Sequence, residues 1–217
     1  MKSFIIRFLL MIVGLTLFAL GIVITIKANV GYAPWDVFHA GLANTIGLSF
    51  GTISILVGIV ILVINSLFRE KLGLGTILNI VLIGVFIDII FLIDFIPTIN
   101  NPVIGIAVLL LGLLIISLGS YFYIKSAFGA GPRDNLMIIL ARKTKIPIGI
   151  CRSIIELLVT IIGWILGGMV GIGTLISVIG IGFCIQITFK ILKFDVTSVK
   201  HESIIDTFKN LFTLKRS

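Results

Sequence analysis

Six apolar runs, at about 5–26, 51–68, 74–95, 103–124, 148–167 and 172–191, constrain this chain more than any other feature. Each is close to the roughly 20 residues a helix needs to cross the ~30 Å hydrocarbon core of a bilayer. Backbone polar groups in lipid must be satisfied within their own segment, so runs of this length predict helices. The chain is 59% hydrophobic and 12% charged, with a mean hydropathy of +1.27. A globular domain is about 45–50% apolar and about 25% charged, so the balance belongs to a membrane protein. The first run follows Lys2 and Arg7 as a signal peptide would. It continues to about Ile26 without a small-residue cleavage site, and we expect it to remain as a helix.

The runs fall into two sets of three. KANVGYAPWD at 27–36 returns 98 positions later as KSAFGAGPRD at 125–134. Lys27 aligns with Lys125, Gly31 with Gly129, Pro34 with Pro132 and Asp36 with Asp134. Without a gap, the same offset aligns Gly14 with Gly112, Gly21 with Gly119, Gly51 with Gly149 and Gly84 with Gly182. It also aligns Gly73-Leu74-Gly75-Thr76 with Gly171-Ile172-Gly173-Thr174. Chance does not produce such a register; duplication does. Three spans is an odd number, so the second unit enters the membrane from the opposite side. The expected fold is an all-α integral membrane protein of six transmembrane helices in two inverted three-helix repeats, 1–95 and 96–195, with a tail at 196–217.

The net charge of +8 is carried between the spans rather than in a nucleic-acid-binding patch. Lys2, Arg7, Arg69, Lys71, Arg133, Arg142, Lys143, Lys145, Lys190 and Lys193 share one side of a six-span arrangement; Lys27 falls on the other. The positive-inside rule then puts both termini in the cytoplasm.

After each repeated motif comes a stretch too short to cross as a helix, VFHAGLANTIG at 37–47 and NLMIILARKTK at 135–145. Pro34 and Pro132 suit a first helical turn, where a missing N–H costs little. Asp36 and Asp134 then face the positive end of the helix dipole, and Gly31 and Gly129 permit the bend. The reading is span, break, half-helix, span, span, repeated upside down. Three roles stay open for the motif. The half-helices lie flat at the interfaces while the lysines snorkel; or Lys27–Asp36 and Lys125–Asp134 pairs tie down the bends; or the half-helices dip inward and, with Lys27 and Lys125, border a shared cavity, as in many solute carriers.

The run GIVITIKANVGYAPWDVFHAGLANTIGLSFGTISILVG, followed by GLGTILNIVLIGVFID, resembles the YczE/YyaS/YitT-type family of bacterial integral membrane proteins, most closely its YczE-like branch. The resemblance implies a multi-span protein of the bacterial inner membrane. It supplies no substrate and no catalytic motif.

Departures from the repeat are further candidates. Trp35 is replaced by Arg133, Gly58 by Glu156, Asn65 by Gly163 and Asp88 by Gln186. An acid inside a span is costly and marks function by default, which makes Glu156 and Asp88 candidates for ion or proton coupling. Arg152, one turn before Glu156, offers a plain helical ion pair instead. Gly163, Gly167 and Gly171 form a small-residue stripe for internal packing or, as the sharper alternative, a homodimer. The tail carries Ile204, Ile205, Phe208, Leu211 and Phe212 on one helical face, with basic residues beyond, and is read as a cytoplasmic amphipathic helix on which no core contact depends.

Cys151 and Cys184 form no CxxC pattern, and no phosphate loop, dinucleotide fingerprint or zinc motif occurs. We therefore expect no enzyme, cofactor, metal site or nucleic-acid partner. The expected function is a small-solute secondary transporter or channel in the bilayer, favouring an anionic or zwitterionic solute. Its pathway would be lined by Lys27, Gly31, Pro34, Trp35, Asp36, Lys125, Gly129, Pro132, Arg133 and Asp134. The alternatives are a non-transporting membrane scaffold or regulator, and a substrate-capture subunit of an ATP-driven importer.

Overall fold

The computed structural model describes residues 2–68, 73–129, 131–145, 148–194, 199, 202 and 203, without the side chains of 2–3, 134, 137–138, 141–142 and 148–153. Among these are eight helices: α1 (Lys2–Lys27), α2 (Pro34–Ile46), α3 (Phe50–Leu67), α4 (Leu74–Ile93), α5 (Pro102–Lys125), α6 (Pro132–Thr144), α7 (Ile148–Ile165) and α8 (Ile172–Ile191). Local chemistry sets their ends. Pro34 opens α2, and Gly47 closes it at φ 80°, donating its N–H to the Ala43 carbonyl. The Ser49 side chain caps α3 by accepting from the Thr52 N–H, and Asn101 caps α5 ahead of Pro102.

Among the described residues, five helices (α1, α3, α4, α5 and α8) are long and apolar enough to cross a membrane. The expected sixth span corresponds to α7, 18 residues long, of which Ile154–Ile165 forms an apolar helical stretch. The short elements are where the motif put them. α2 and α6 have 13 residues each, about 20 Å at 1.5 Å per residue, well under the ~30 Å of a bilayer core.

α1 and α5 pack antiparallel along their length, and glycine sets the spacing. A Cβ on Gly14 would fall 2.8 Å from the Gly119 carbonyl oxygen, one on Gly21 2.8 Å from that of Gly112, and one on Gly105 2.6 Å from that of Ala28. Small residues let two backbones approach this closely where lipid offers no hydrophobic push. α4 flanks α1 and α8 flanks α5, which gives an inner quartet; outside it α2 lies on α7 and α6 on α3. The centre is filled by Met11, Leu15 and Val23 of α1, Ile83 and Ile87 of α4, and Leu113 and Ile116 of α5, with Phe128 beneath. Outer faces carry bare apolar side chains such as Leu92 and Leu111, the surface that lipid tails would cover.

The tail is less independent than its sequence suggests. Arg7 pairs with Glu202 at 2.7 Å and donates from Nε to the Ser126 carbonyl at 2.8 Å. The Glu202 N–H donates to the Ala127 carbonyl at 2.9 Å. An acidic residue just beyond the last helix thus fastens the break after α5 to the start of α1. The amphipathic stretch expected further on lies outside the described residues.

Candidate functional site

The site begins at the two breaks, which have one conformation between them. Asn29 and Gly31 take φ of 55° and 112°; Ala127 and Gly129, 98 positions on, take 61° and 130°. Each break then grips a helix start in the other half. The Gly173 N–H of α8 donates to the Val30 carbonyl at 2.7 Å, and the Gly75 N–H of α4 donates to the Phe128 carbonyl at 2.7 Å. A side chain on Gly31 would fall 2.8 Å from the Thr174 hydroxyl, and one on Gly129 2.7 Å from that of Thr76. Positive φ and this crowding together demand glycine.

These grips aim the first turns of α2 and α6 at each other. Arg133, in the first turn of α6, reaches across to α2. Its guanidinium lies 4.7 Å from the centre of the Trp35 ring, and its Nη2 stands 3.3 Å from Nε2 of His39. Guanidinium only donates, so Nε2 accepts and a neutral His39 carries its proton on Nδ1. That nitrogen lies 4.0 Å from Oδ1 of Asp36, one turn back on α2. His39 and Asp36 are both buried, and Nδ1 has no hydrogen-bond partner among the described residues. Burial pushes the Asp36 carboxyl up to about 7 against the opposing Arg133 charge, and burial together with Arg133 holds His39 in its neutral form. Behind Arg133, the Asn65 amide of α3 donates to the Pro132 carbonyl at 2.7 Å, while its buried Oδ1 is unpartnered.

Phe50 separates this junction from an open groove. Its ring meets His39 edge-on at 5.5 Å on one side and Phe91 at 6.2 Å on the other. Phe50 and Phe91 also line the groove, about 590 Å³, together with Ser49, Asp88, Ile89 and Leu92. The junction therefore combines a guanidinium, a buried carboxylate, an imidazole N–H and two helix N-termini behind one aromatic ring.

Residues 5–190 match a family described as DUF6198, of unknown function. The chain belongs to this family. It is 35% identical over 187 residues, 85% of this chain and 86% of the other, to the "uncharacterized membrane protein YczE" of Bacillus subtilis (strain 168). It is also 31% identical over 185 residues, 83% and 84% of the two chains, to an "uncharacterized protein" of Haemophilus influenzae. A second Bacillus subtilis protein, YyaS, is 29% identical over 168 residues, 76% of this chain and 84% of that one. No solved structure matches. The first of these is described as a membrane protein, in accord with the five long apolar helices among the described residues.

The DUF6198 match takes in both breaks and the whole junction, and within it the residues singled out from the sequence divide. Trp35, Asp36, Pro132 and Arg133 come together, positioned by Gly31, Pro34 and Gly129. Lys27 and Lys125 do not meet. They end α1 and α5, which run antiparallel, so roughly 30 Å of helix separates them. Lys27 pairs with Asp94 at 2.5 Å rather than with Asp36, and Lys125 donates to the Tyr121 hydroxyl at 2.7 Å. Lys27 ties the end of α1 to that of α4, while the Lys125 bond stays within α5. The Asp134 side chain lies outside the described residues, as does Arg152, the expected partner of Glu156. Glu156 itself is buried on α7. Asp88 accepts from the Gly51 N–H at 2.8 Å and from the Ser49 hydroxyl, which binds α4 to the start of α3. In the glycine stripe, Gly163 packs on Phe38 of α2 and Gly171 on Val30, while Gly167, at φ 89°, has no neighbour within 4 Å among the described residues.

Sequence reasoning overlooked His39. Its signal was its place three residues after Asp36, one turn along the same helix face. Arg7 was read only as a flanking charge, because its partners Ser126 and Glu202 are remote in sequence.

Proposed function

We propose that the chain is a small-solute secondary transporter or channel built from two inverted repeats, with its solute site at the α2–α6 junction. The observation that carries this reading is Arg133 of one short helix reaching half-buried Trp35 and buried His39 of the other, with buried Asp36 on the same turn. Inverted repeats whose broken helices meet are a recurrent construction for solute sites. The pairing of contacts supports the inversion: Gly14 meets Gly119 and Gly21 meets Gly112, so each residue touches the counterpart of its partner's. A two-fold axis perpendicular to an antiparallel pair produces that pattern. Guanidinium and helix N-termini favour an anionic group, and Asp36 favours a cationic one nearby, so a zwitterion such as an amino acid fits best. We place the protein in the bacterial inner membrane with both termini cytoplasmic, from the distribution of Lys and Arg.

A thermal-shift screen of purified protein against amino acids and small carboxylates, followed by uptake into liposomes, tests this. A stabilising compound that is lost in Arg133→Gln and is carried into liposomes supports the proposal. Binding without uptake favours a capture subunit. Absence of any stabilising compound contradicts a solute site and favours a scaffold.

A further inference from the structure

The two halves share their breaks and their central crossing, but they differ along one seam. α3 lies against α4. There Gly51 abuts the Gly84 carbonyl, Asp88 holds Ser49 and Gly51, and a Cβ on Gly58 would fall 2.8 Å from Ile80. Their counterparts are α7 and α8. Among the described residues Gly182, the counterpart of Gly84, has nothing within 4 Å, and Gln186, the counterpart of Asp88, is exposed. Three matched positions measure the difference. Ile77, Val81 and Val85 of α4 are 37%, 41% and 38% exposed, whereas Leu175, Ile179 and Phe183 of α8 are 69%, 78% and 63% exposed. α8 leaves almost bare a face that α4 has partly covered.

We infer that this face of α8 is the docking surface of α7, and that the structure is one of two alternating arrangements. In the other, α7 lies along α8 as α3 now lies along α4, and α3 has left α4. The occupant follows from the repeat: α7 is the counterpart of α3 and joins α8 through residues 166–171 alone. α4 and α8, which carry the two seams, finish at opposite ends of the inner quartet. Asp94, at the end of α4, reaches Lys27 of α1, while Phe194, just past α8, stacks edge-on with Tyr121 near the end of α5. If the junction is the solute site proposed above, exchanging one seam for the other exposes it to opposite sides in turn, as rocking carriers do.

The sequence also accounts for which seam is closed. Gly58 leaves room for Ile80, but its counterpart Glu156 brings a full side chain to the same position. Asp88 gives the start of α3 a charged acceptor that favours a helix N-terminus, where Gln186 offers only a neutral one. Both changes weaken the α7–α8 seam relative to α3–α4.

Cysteine pairs test this without a ligand, in a Cys151→Ser, Cys184→Ser background in membranes. Ile55→Cys with Gly84→Cys spans the closed seam; Ser153→Cys with Gly182→Cys, or Glu156→Cys with Val178→Cys, spans the open one. We expect both seams to cross-link within one chain, the first faster, and cross-linking of the first to block the second in a four-cysteine protein. Adding Glu156→Gly to the Ser153→Cys, Gly182→Cys pair should raise its rate about tenfold, equivalent to 1.4 kcal/mol. A closed-seam pair that cross-links while both open-seam pairs give no product, or only product between chains, overturns the inference. So does independent cross-linking of the two seams. Neither result touches the solute site, which the binding screen judges separately.

Discussion

Arg133 is the residue on which the junction turns. It stands where the first half has Trp35, and the two side chains face each other across the junction. Arg133→Ala removes the guanidinium that faces both His39 and Trp35, and we expect at least a hundredfold loss of solute affinity with folded yield largely kept. Lys27→Ala should instead lower stability, by up to about 1 kcal/mol for an ion pair whose acid is mostly exposed, and leave affinity unchanged. A Kd unaltered in Arg133→Ala and lost in Lys27→Ala would reverse the assignment. The breaks make a second demand. Gly31→Ala or Gly129→Ala meets both a left-handed backbone, worth about 1–3 kcal/mol, and a crowded neighbour. Each should sharply lower the amount of monodisperse protein in detergent. Ala127→Gly, at φ 61°, should be neutral or raise the melting midpoint; a fall would show that the left-handed backbone is not what strains the break.

Among the elements, the spans and half-helices were legible in the sequence because burial in lipid writes them as apolar runs bounded by Pro, Gly and charge. Pro34 and Pro132 mark the starts of α2 and α6, and the GxGT stretches mark the starts of α4 and α8. What could not be read was which side chains meet across the repeat. The lysines looked like pathway residues because they flank the breaks, but an antiparallel α1–α5 crossing sends them to opposite ends. Arg133, His39 and Asn65 gave no periodic signal, since their contacts join positions 67 to 94 apart. The Arg7–Glu202 fastening escaped for the same reason. It predicts coupling: Arg7→Met and Glu202→Ala should each destabilise the protein, and together by less than their sum. A double-mutant cycle should return about 0.5–3 kcal/mol; strict additivity would show that the tail contact contributes nothing.

For the whole molecule, the proposed architecture is of two halves of opposite orientation. Labelling from outside the cell should therefore reach Asn100→Cys, in the connection between the halves, but not Thr144→Cys, at the end of α6. Reversed labelling would invert the topology, and labelling of both would break the six-span arrangement. In the proposed function the two half-helices build one solute site between them. Calorimetric titration of the purified protein with a zwitterion identified by the screen tests this. One site per chain is expected, abolished equally by Asp36→Asn on α2 and by Arg133→Gln on α6, and intact in Lys125→Ala. Two sites per chain, or a site that survives either junction substitution in correctly folded protein, would contradict it.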